Sequence, residues 1–545
     1  MRKIMSSSDA GQLPSPRDPF DSSTSHLPPT APQPTPPGPI QKVGEISRAH
    51  LGVEHQANQI PVDHKTTVEP SSTAVVVFRG PLGIPDSSKA TSASKLGGVE
   101  DLQRQDDAAG RKYLATYKAL HLGGEETPES RLVRSALLPV QETIIFSLPT
   151  LNLELPLFEE IQHVLSRDFD LSRTPITSIA LVSEPERRNR ILRIELKNTK
   201  NHVIFKESHP VWEEGKTPND EDMKASYDRF SRDWAGLEFA SGLERTNPLC
   251  PQCYGGSEEY RFILQQDLGK DQVTLANHLL EGEASTAKGS LERYMTSLGR
   301  FHAAGHAKVA QYLKILHKIN PEAPEISIKK SIEMTLDNLK TVLTLLNLPH
   351  SKGLDEEVRA VIESTSNSKG PFVTVTHGDP CPDNVFDYPD KLLLIDFEWA
   401  SIGSALLDAT YPRMNMPSGW CAGQFPENLL NAAESTYRDE MIKLIPEAKD
   451  DKTYFEAYAQ ACAMHILNRS ITSFIPWVFE KDDTWGIASV RSRVLSHLKT
   501  FINIAEKHET LPALKSLATE IVALLERKWG ESKPLDLYPA FTKKT

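Results

Sequence analysis

Residues 375–400 read VTHGDPCPDNVFDYPDKLLLIDFEWA, and the reading of this stretch decides the fold. It sets His377, Asp379, Asn384 and Asp396 in the order and spacing that ATP-dependent phosphoryl transfer uses. Asp379 and Asn384 are five residues apart, close enough for one tight loop to carry a base and a metal ligand. The run Lys391–Ile395 is short and apolar, reads as a buried strand, and delivers Asp396 to its own end.

The segment resembles the aminoglycoside phosphotransferase and choline kinase-like family, the small-molecule branch of the protein kinase fold. That family has His-Gly-Asp where protein kinases have His-Arg-Asp, and here the triplet is His377-Gly378-Asp379. It has Ile-Asp-Phe/Trp-Glu in place of Asp-Phe-Gly, and here Ile395-Asp396-Phe397-Glu398 stands in that position. The resemblance runs from about Thr174 to the C-terminal helices. It implies ATP and magnesium as cofactors, with Asp379 taking the acceptor hydroxyl proton and Asn384 and Asp396 holding the metal. A protein kinase is disfavoured, because no Ala-Pro-Glu follows Asp396.

Working outward, the expected fold class is α+β. A small sheet-rich lobe (151–269) precedes a large helical lobe (270–535), after a disordered Pro/Ser-rich tail (1–40) and a poorly defined extension (41–150). The tail carries ten of the chain's 39 prolines, too little apolar surface to offset its ordering entropy. A chain starting at Gln41 is therefore expected to keep full phosphotransfer activity and nucleotide affinity; loss of either would mean that the tail orders over the site. Within 41–150, Ser72–Arg79 has the look of a strand and Gly98–Leu120 of a helix, but no periodicity joins them. Helical spacing covers Leu155–Asp168, and strands are expected at Thr174–Val182, Ile191–Leu196, Val203–Glu207 and Tyr260–Gln265, with a helix over Asp228–Leu243.

Lys206 sits in an apolar strand, where an unpaired charge is costly to bury. By the resemblance it reaches the α- and β-phosphates and is held by an acid on the next helix. Arg232-Asp233-Trp-Ala-Gly-Leu237 aligns with the family's pattern there and makes Asp233 that acid, one methylene shorter than the usual Glu; Glu238 is more than a turn further on. Phe262–Gly269 resembles the linker between lobes, which places Gln265, Gln266 and Asp267 at the adenine, largely through their peptides, while Asp267 also suits a helix cap. The turn Ser183–Arg190 lacks the family's glycines and keeps only Asn189. Arg187, Arg188 and Arg190 are either guanidinium contacts for phosphate or a solvated loop.

His302 reads as a packed helix residue, and Trp420 with Cys421 either as a cleft wall or as core; by the resemblance, Asp408 braces the catalytic-loop backbone. Cys250-Pro-Gln-Cys253 alone is weak evidence for zinc, which needs two further ligands. The net charge of −12, with no Lys/Arg-rich block, argues against a nucleic-acid footprint. Five cysteines suit a reducing interior, and no apolar run reaches the roughly 18–20 residues of a membrane span. The expected address is the cytoplasm and the expected partner a small-molecule hydroxyl acceptor, whose identity the sequence does not give.

Overall fold

The computed structural model describes residues 153–183, 189–200, 202–209, 218–324, 327–366, 370–530 and 532–542. The readings for the tail, for 41–150 and for most of the Ser183–Arg190 turn lie outside them.

Alternating residues build the first lobe. Along β3 (Val203–Ser208), Val203 and Phe205 are buried while Ile204 and Lys206 point to the opposite face, the period-2 consequence of a pleated strand. β1 (Ile176–Leu181), β2 (Asn189–Leu196), β3, β5 (Phe262–Gln266) and β4 (Cys253–Ser257) form one antiparallel sheet in the order β1-β2-β3-β5-β4. Helix Leu155–Leu165 lays Phe158, Ile161, Val164 and Leu165 on the buried face against Leu192, Ile194, Phe205 and Leu264. Its N-terminus uses a proline in the first turn, where a missing N–H is harmless.

Two elements differ from the sequence reading. Helix Asp220–Leu243 begins eight residues before the expected start, because Asn219 and Asp222 form a reciprocal capping box ahead of an acidic first turn. β4 was not expected at all; Gly255 and Gly256 depress its strand signal, and a bulge between Cys253 and Gly255 interrupts its ladder.

Beyond Gly269 the chain is helical. Helices Ala284–His306, Val309–Ile319, Ile328–Leu346, Leu354–Ser366, Glu427–Ile442, Asp451–His465, Val490–Lys507 and Pro512–Trp529 share one apolar core. Two small β-elements carry the 375–400 segment. β7 (Val373–Thr376) pairs with β10 (Ser401–Ser404), and β8 (Val385–Asp387) lies between β6 (Val273–Thr274) and β9 (Leu392–Leu394). A small sheet lobe followed by a large helical lobe is the two-lobed protein kinase-like layout. Among the described residues no helix is long and apolar enough to cross a membrane. All five cysteines are free thiols.

The helical core sets an acid limit on stability. Burial pulls His465, whose Nε2 is 2.9 Å from the Leu407 carbonyl, down to about 4. Burial likewise pulls His497, paired at 2.9 Å with Ser470 Oγ, down to about 3. Both are neutral in the fold, whereas the unfolded chain protonates them below about pH 6.5. Their contribution is therefore present above about pH 6.5 and lost as pH falls, down to about pH 4 and pH 3 respectively. At pH 5 the loss should be about 2 kcal/mol per histidine. Urea melts at pH 7 and pH 5 should show it, and the His465→Gln/His497→Gln chain should lose that share of the slope. An unchanged slope would remove the two histidines as its cause.

Candidate active site

The site forms where β3, the helix Asp220–Leu243 and the segment after β9 meet. Lys206 Nζ donates to Asp233 Oδ2 at 2.6 Å and to Asp396 Oδ1 at 2.5 Å. Asp233 also accepts the Phe397 N–H at 2.9 Å, so one carboxylate ties the helix both to the lysine and to the backbone beside Asp396. The helix comes this close because residue 236 is glycine: a Cβ there would stand 2.5 Å from Phe397 Cβ. Burial alone would discharge Lys206, but Asp233, Asp396 and Glu398 hold its ammonium well above the usual lysine range. Burial pushes the Asp233 carboxyl up, with the lysine opposing it. Asp396 itself has a left-handed backbone, φ 66°, a conformation that costs about 1 kcal/mol or more outside glycine and that Asp tolerates better than most residues.

The linker is pinned. Gln265 lies opposite Ile204 on β3 and Cys253 on β4. The Gln266 and Asp267 N–H groups donate to the Gln252 and His202 carbonyls, both at 2.9 Å. The Asp267 carboxylate accepts from Arg193 Nε at 2.5 Å, from an Arg193 terminal nitrogen at 3.0 Å and from the Gly269 N–H at 2.9 Å. Asp267 thus braces the linker through its side chain, and Arg193, a residue the sequence reading passed over, is its partner. The only available signal was an arginine on the outward-facing register of β2. Arg190 is paired with Glu207 rather than extended as a phosphate contact, and its guanidinium lies 5.9 Å from the Phe205 ring centroid.

The His377–Asn384 segment is held by its backbone. Asp408 accepts the His377 N–H at 2.6 Å and the Gly378 N–H at 3.1 Å, and His302 Nε2 lies 3.0 Å from the same carboxylate. His302 is fully buried, its other ring nitrogen 2.7 Å from Tyr437 Oη. Gly378 has φ 81°, and a Cβ would meet the Trp399 carbonyl oxygen at 2.2 Å, so no other residue fits. The His377 ring donates from Nε2 to the Ile395 carbonyl at 2.9 Å and packs 4.7 Å from Phe397, joining the loop to the Asp396 turn.

Asp379 is buried at 8 % exposure. Its Oδ1 accepts from Ser418 Oγ at 2.6 Å and from Cys381 Sγ at 2.9 Å. Its Oδ2 has one long contact, 3.4 Å to Asn384 Nδ2. That same amide nitrogen donates to the Asp379 carbonyl at 2.9 Å. Ser418 escaped the sequence reading. Trp420 and Cys421 divide: Cys421 is core, whereas Trp420 is 40 % exposed and donates from Nε1 to Asp383 Oδ2 at 3.0 Å. Burial raises the Asp383 carboxyl from its ordinary value.

Among the described residues no group of three or more His, Cys, Asp and Glu side chains gathers as a metal site, around Cys250 and Cys253 included. The Cys250 thiol instead lies 3.3 Å from the Pro251 carbonyl. Magnesium asks for less: one or two carboxylates, with phosphate and water oxygens completing the shell. Asp396 and Asn384, brought together by the 2.9 Å bond from the Ile395 N–H to the Asn384 carbonyl, could supply oxygen ligands of that kind.

The sequence profile of the ecdysteroid kinase-like family (EcKL) matches residues 224–414. The match takes in Asp233, the catalytic loop, Asp396 and Asp408, and leaves Lys206 and Ser418 outside. No curated protein matches the chain. Among solved structures, a choline/ethanolamine kinase family protein from Mesorhizobium loti is 12% identical, covering 67% of this chain and 99% of its own, with a TM-score of 0.35. Choline kinase from Cryptosporidium parvum is also 12% identical, covering 66% and 94%, TM-score 0.35. An ethanolamine kinase of Plasmodium vivax is 9% identical, covering 74% and 94%, TM-score 0.33. The chain is similar, then, to kinase-like phosphotransferases of small molecules.

Proposed function

We propose that this protein is an ATP-dependent kinase that moves the γ-phosphoryl group of ATP to a hydroxyl of a small molecule. The observation that carries the reading is the Lys206–Asp233–Asp396 ion-pair group, joined through Ile395 to a backbone-pinned Asp379–Asn384 loop. Residues 151–269 and 270–535 are assigned to the two lobes, with the nucleotide between them.

In this reading the peptides of Gln265, Gln266 and Asp267 border the adenine. Lys206, positioned by Asp233, steadies the phosphates. Asn384 Oδ1 and Asp396 would hold magnesium, which supplies neutralisation of phosphate charge when bound. Asp379 Oδ2 aligns the acceptor hydroxyl and takes its proton as the oxygen attacks phosphorus. Such transfers ask the protein for position and charge more than for covalent chemistry.

A second reading, a nucleotide-binding protein without transfer, draws support from the glycine-free turn at 183–190 and the short Asp233. Measuring ADP release from magnesium–ATP across amino-alcohols, aminoglycosides and sugars, with Asp379→Asn as the blank, separates the two. Acceptor-dependent ADP release above the blank supports the kinase. Nucleotide binding with no release supports the alternative.

A further inference from the structure

Asp379 presents its two oxygens unequally, and the cause lies in a turn some forty residues away. Residues 412–420 fold so that Ser418 Oγ stands 2.6 Å from Asp379 Oδ1. Ser418 is 4 % exposed and carries a single proton. Of its possible acceptors the Asp379 carboxylate is the charged and nearer one and takes that proton. Tyr411 Oη, whose own proton goes to the Gly378 carbonyl at 3.0 Å, is a neutral acceptor at 3.1 Å. The Cys381 thiol, 3.3 Å away, also reaches Asp379 Oδ1 at 2.9 Å. Burial, reinforced by Asp379, raises the Cys381 thiol far above its ordinary range, so it stays protonated and acts as a donor. Oδ1 therefore receives two donors, and among the described residues Oδ2 keeps only the 3.4 Å contact to Asn384.

The turn pays for this placement in backbone strain. Asn415 and Met416 have φ of 56° and 55°, two consecutive left-handed residues of which only Asn is a usual occupant. Such conformations persist where surrounding contacts over-determine them. Here the Met416 N–H donates to the Tyr411 carbonyl at 2.8 Å and the Gly419 N–H to the Met416 carbonyl at 3.0 Å. Arg493, fully buried, then clamps the far end. It donates to the Gly419 carbonyl at 2.7 Å, the Trp420 carbonyl at 3.0 Å and the Trp485 carbonyl at 2.7 Å, and its guanidinium lies 4.5 Å from the Trp485 ring centroid. A buried guanidinium spent on main-chain carbonyls is an expensive way to hold a loop whose only task is to cover core.

We infer that Ser418 is a positioning residue of the transfer: by fixing Oδ1 of Asp379 it keeps Oδ2 aimed at the acceptor hydroxyl, and Arg493 anchors the turn that presents it. This inference rests on the kinase reading above. It extends the reacting machinery to a residue four positions beyond the segment matched by the family profile.

The test compares the parent chain with Ser418→Ala, Ser418→Cys, Asp379→Asn and the Ser418→Ala/Asp379→Asn double variant. The assay is ADP formation from magnesium–ATP with the acceptor that the panel identifies. Thermal melts with and without magnesium–ATP run alongside. Loss of one hydrogen bond to a carboxylate should lower kcat about tenfold or more in Ser418→Ala, with KM for ATP and the nucleotide-induced melt shift unchanged. Ser418→Cys, of similar size and a weaker donor, should fall between Ala and the parent. In the double variant, Ser418→Ala should add nothing to the loss from Asp379→Asn, because the two act as a unit. Losses that multiply, or a Ser418→Ala kcat equal to the parent's, would overturn the inference while leaving the kinase reading standing. A parent no faster than Asp379→Asn with every acceptor would overturn both.

Discussion

Replacing Asp379 by Asn should lower phosphoryl transfer by about two orders of magnitude or more, the usual range for losing a positioned acid–base group. The fold and ATP affinity should stay close to the parent's. The amide is isosteric, and the donors from Ser418 and Cys381 still meet an oxygen at Oδ1. The loop around it is held through the backbone by Asp408, Tyr294 and Tyr411 rather than through the Asp379 carboxylate. The substitution therefore removes charge and basicity at Oδ2 and little else. Initial rates with magnesium–ATP, together with a nucleotide melt, check both halves; undiminished turnover would take Asp379 out of the mechanism.

Asp396→Ala should abolish magnesium-dependent nucleotide binding, and Asn384→Ala should weaken it less. A carboxylate is the stronger ligand for a hard divalent ion, and a neutral amide contributes less. Asp396 also shares the lysine's pairing, since Lys206 Nζ lies 2.5 Å from it and 2.6 Å from Asp233. Alanine there leaves a buried ammonium with one close carboxylate, so the phosphate-binding side should suffer with the metal side. Titrating ATP with and without magnesium, after a melt confirms folding, measures the effect. Equal and small effects from the two substitutions would contradict the metal assignment.

What was legible in the sequence was what is local in it. His377, Asp379, Asn384 and Asp396 fall within twenty residues, and their spacing carries the loop–strand–loop on its own. Lys206 was legible because a charge in an apolar strand asks for a partner, and Asp408 because its place after Asp396 matches the family pattern. The partners were less so. The Arg193–Asp267 pair joins residues 74 apart and the Ser418–Asp379 bond residues 39 apart, and no local periodicity encodes either. β4 hid behind two glycines, and the start of the helix at Asp220 hid in an acidic run whose capping box reads as loop until the backbone closes it. Trp420 and Cys421 are adjacent, yet one is exposed over Asp383 and the other is core, because the Arg493 clamp sets the turn between them.

In the proposed function a phosphoryl group passes to a small-molecule hydroxyl with Asp379 at the acceptor. Phosphorus NMR of magnesium–ATP incubated with the acceptor panel, for the parent chain and for Asp379→Asn, tests it most directly. The account predicts a new phosphomonoester resonance growing with ADP for the parent and almost none for Asp379→Asn. ATP that binds yet yields no phosphomonoester with any acceptor, or equal product from both chains, would contradict it.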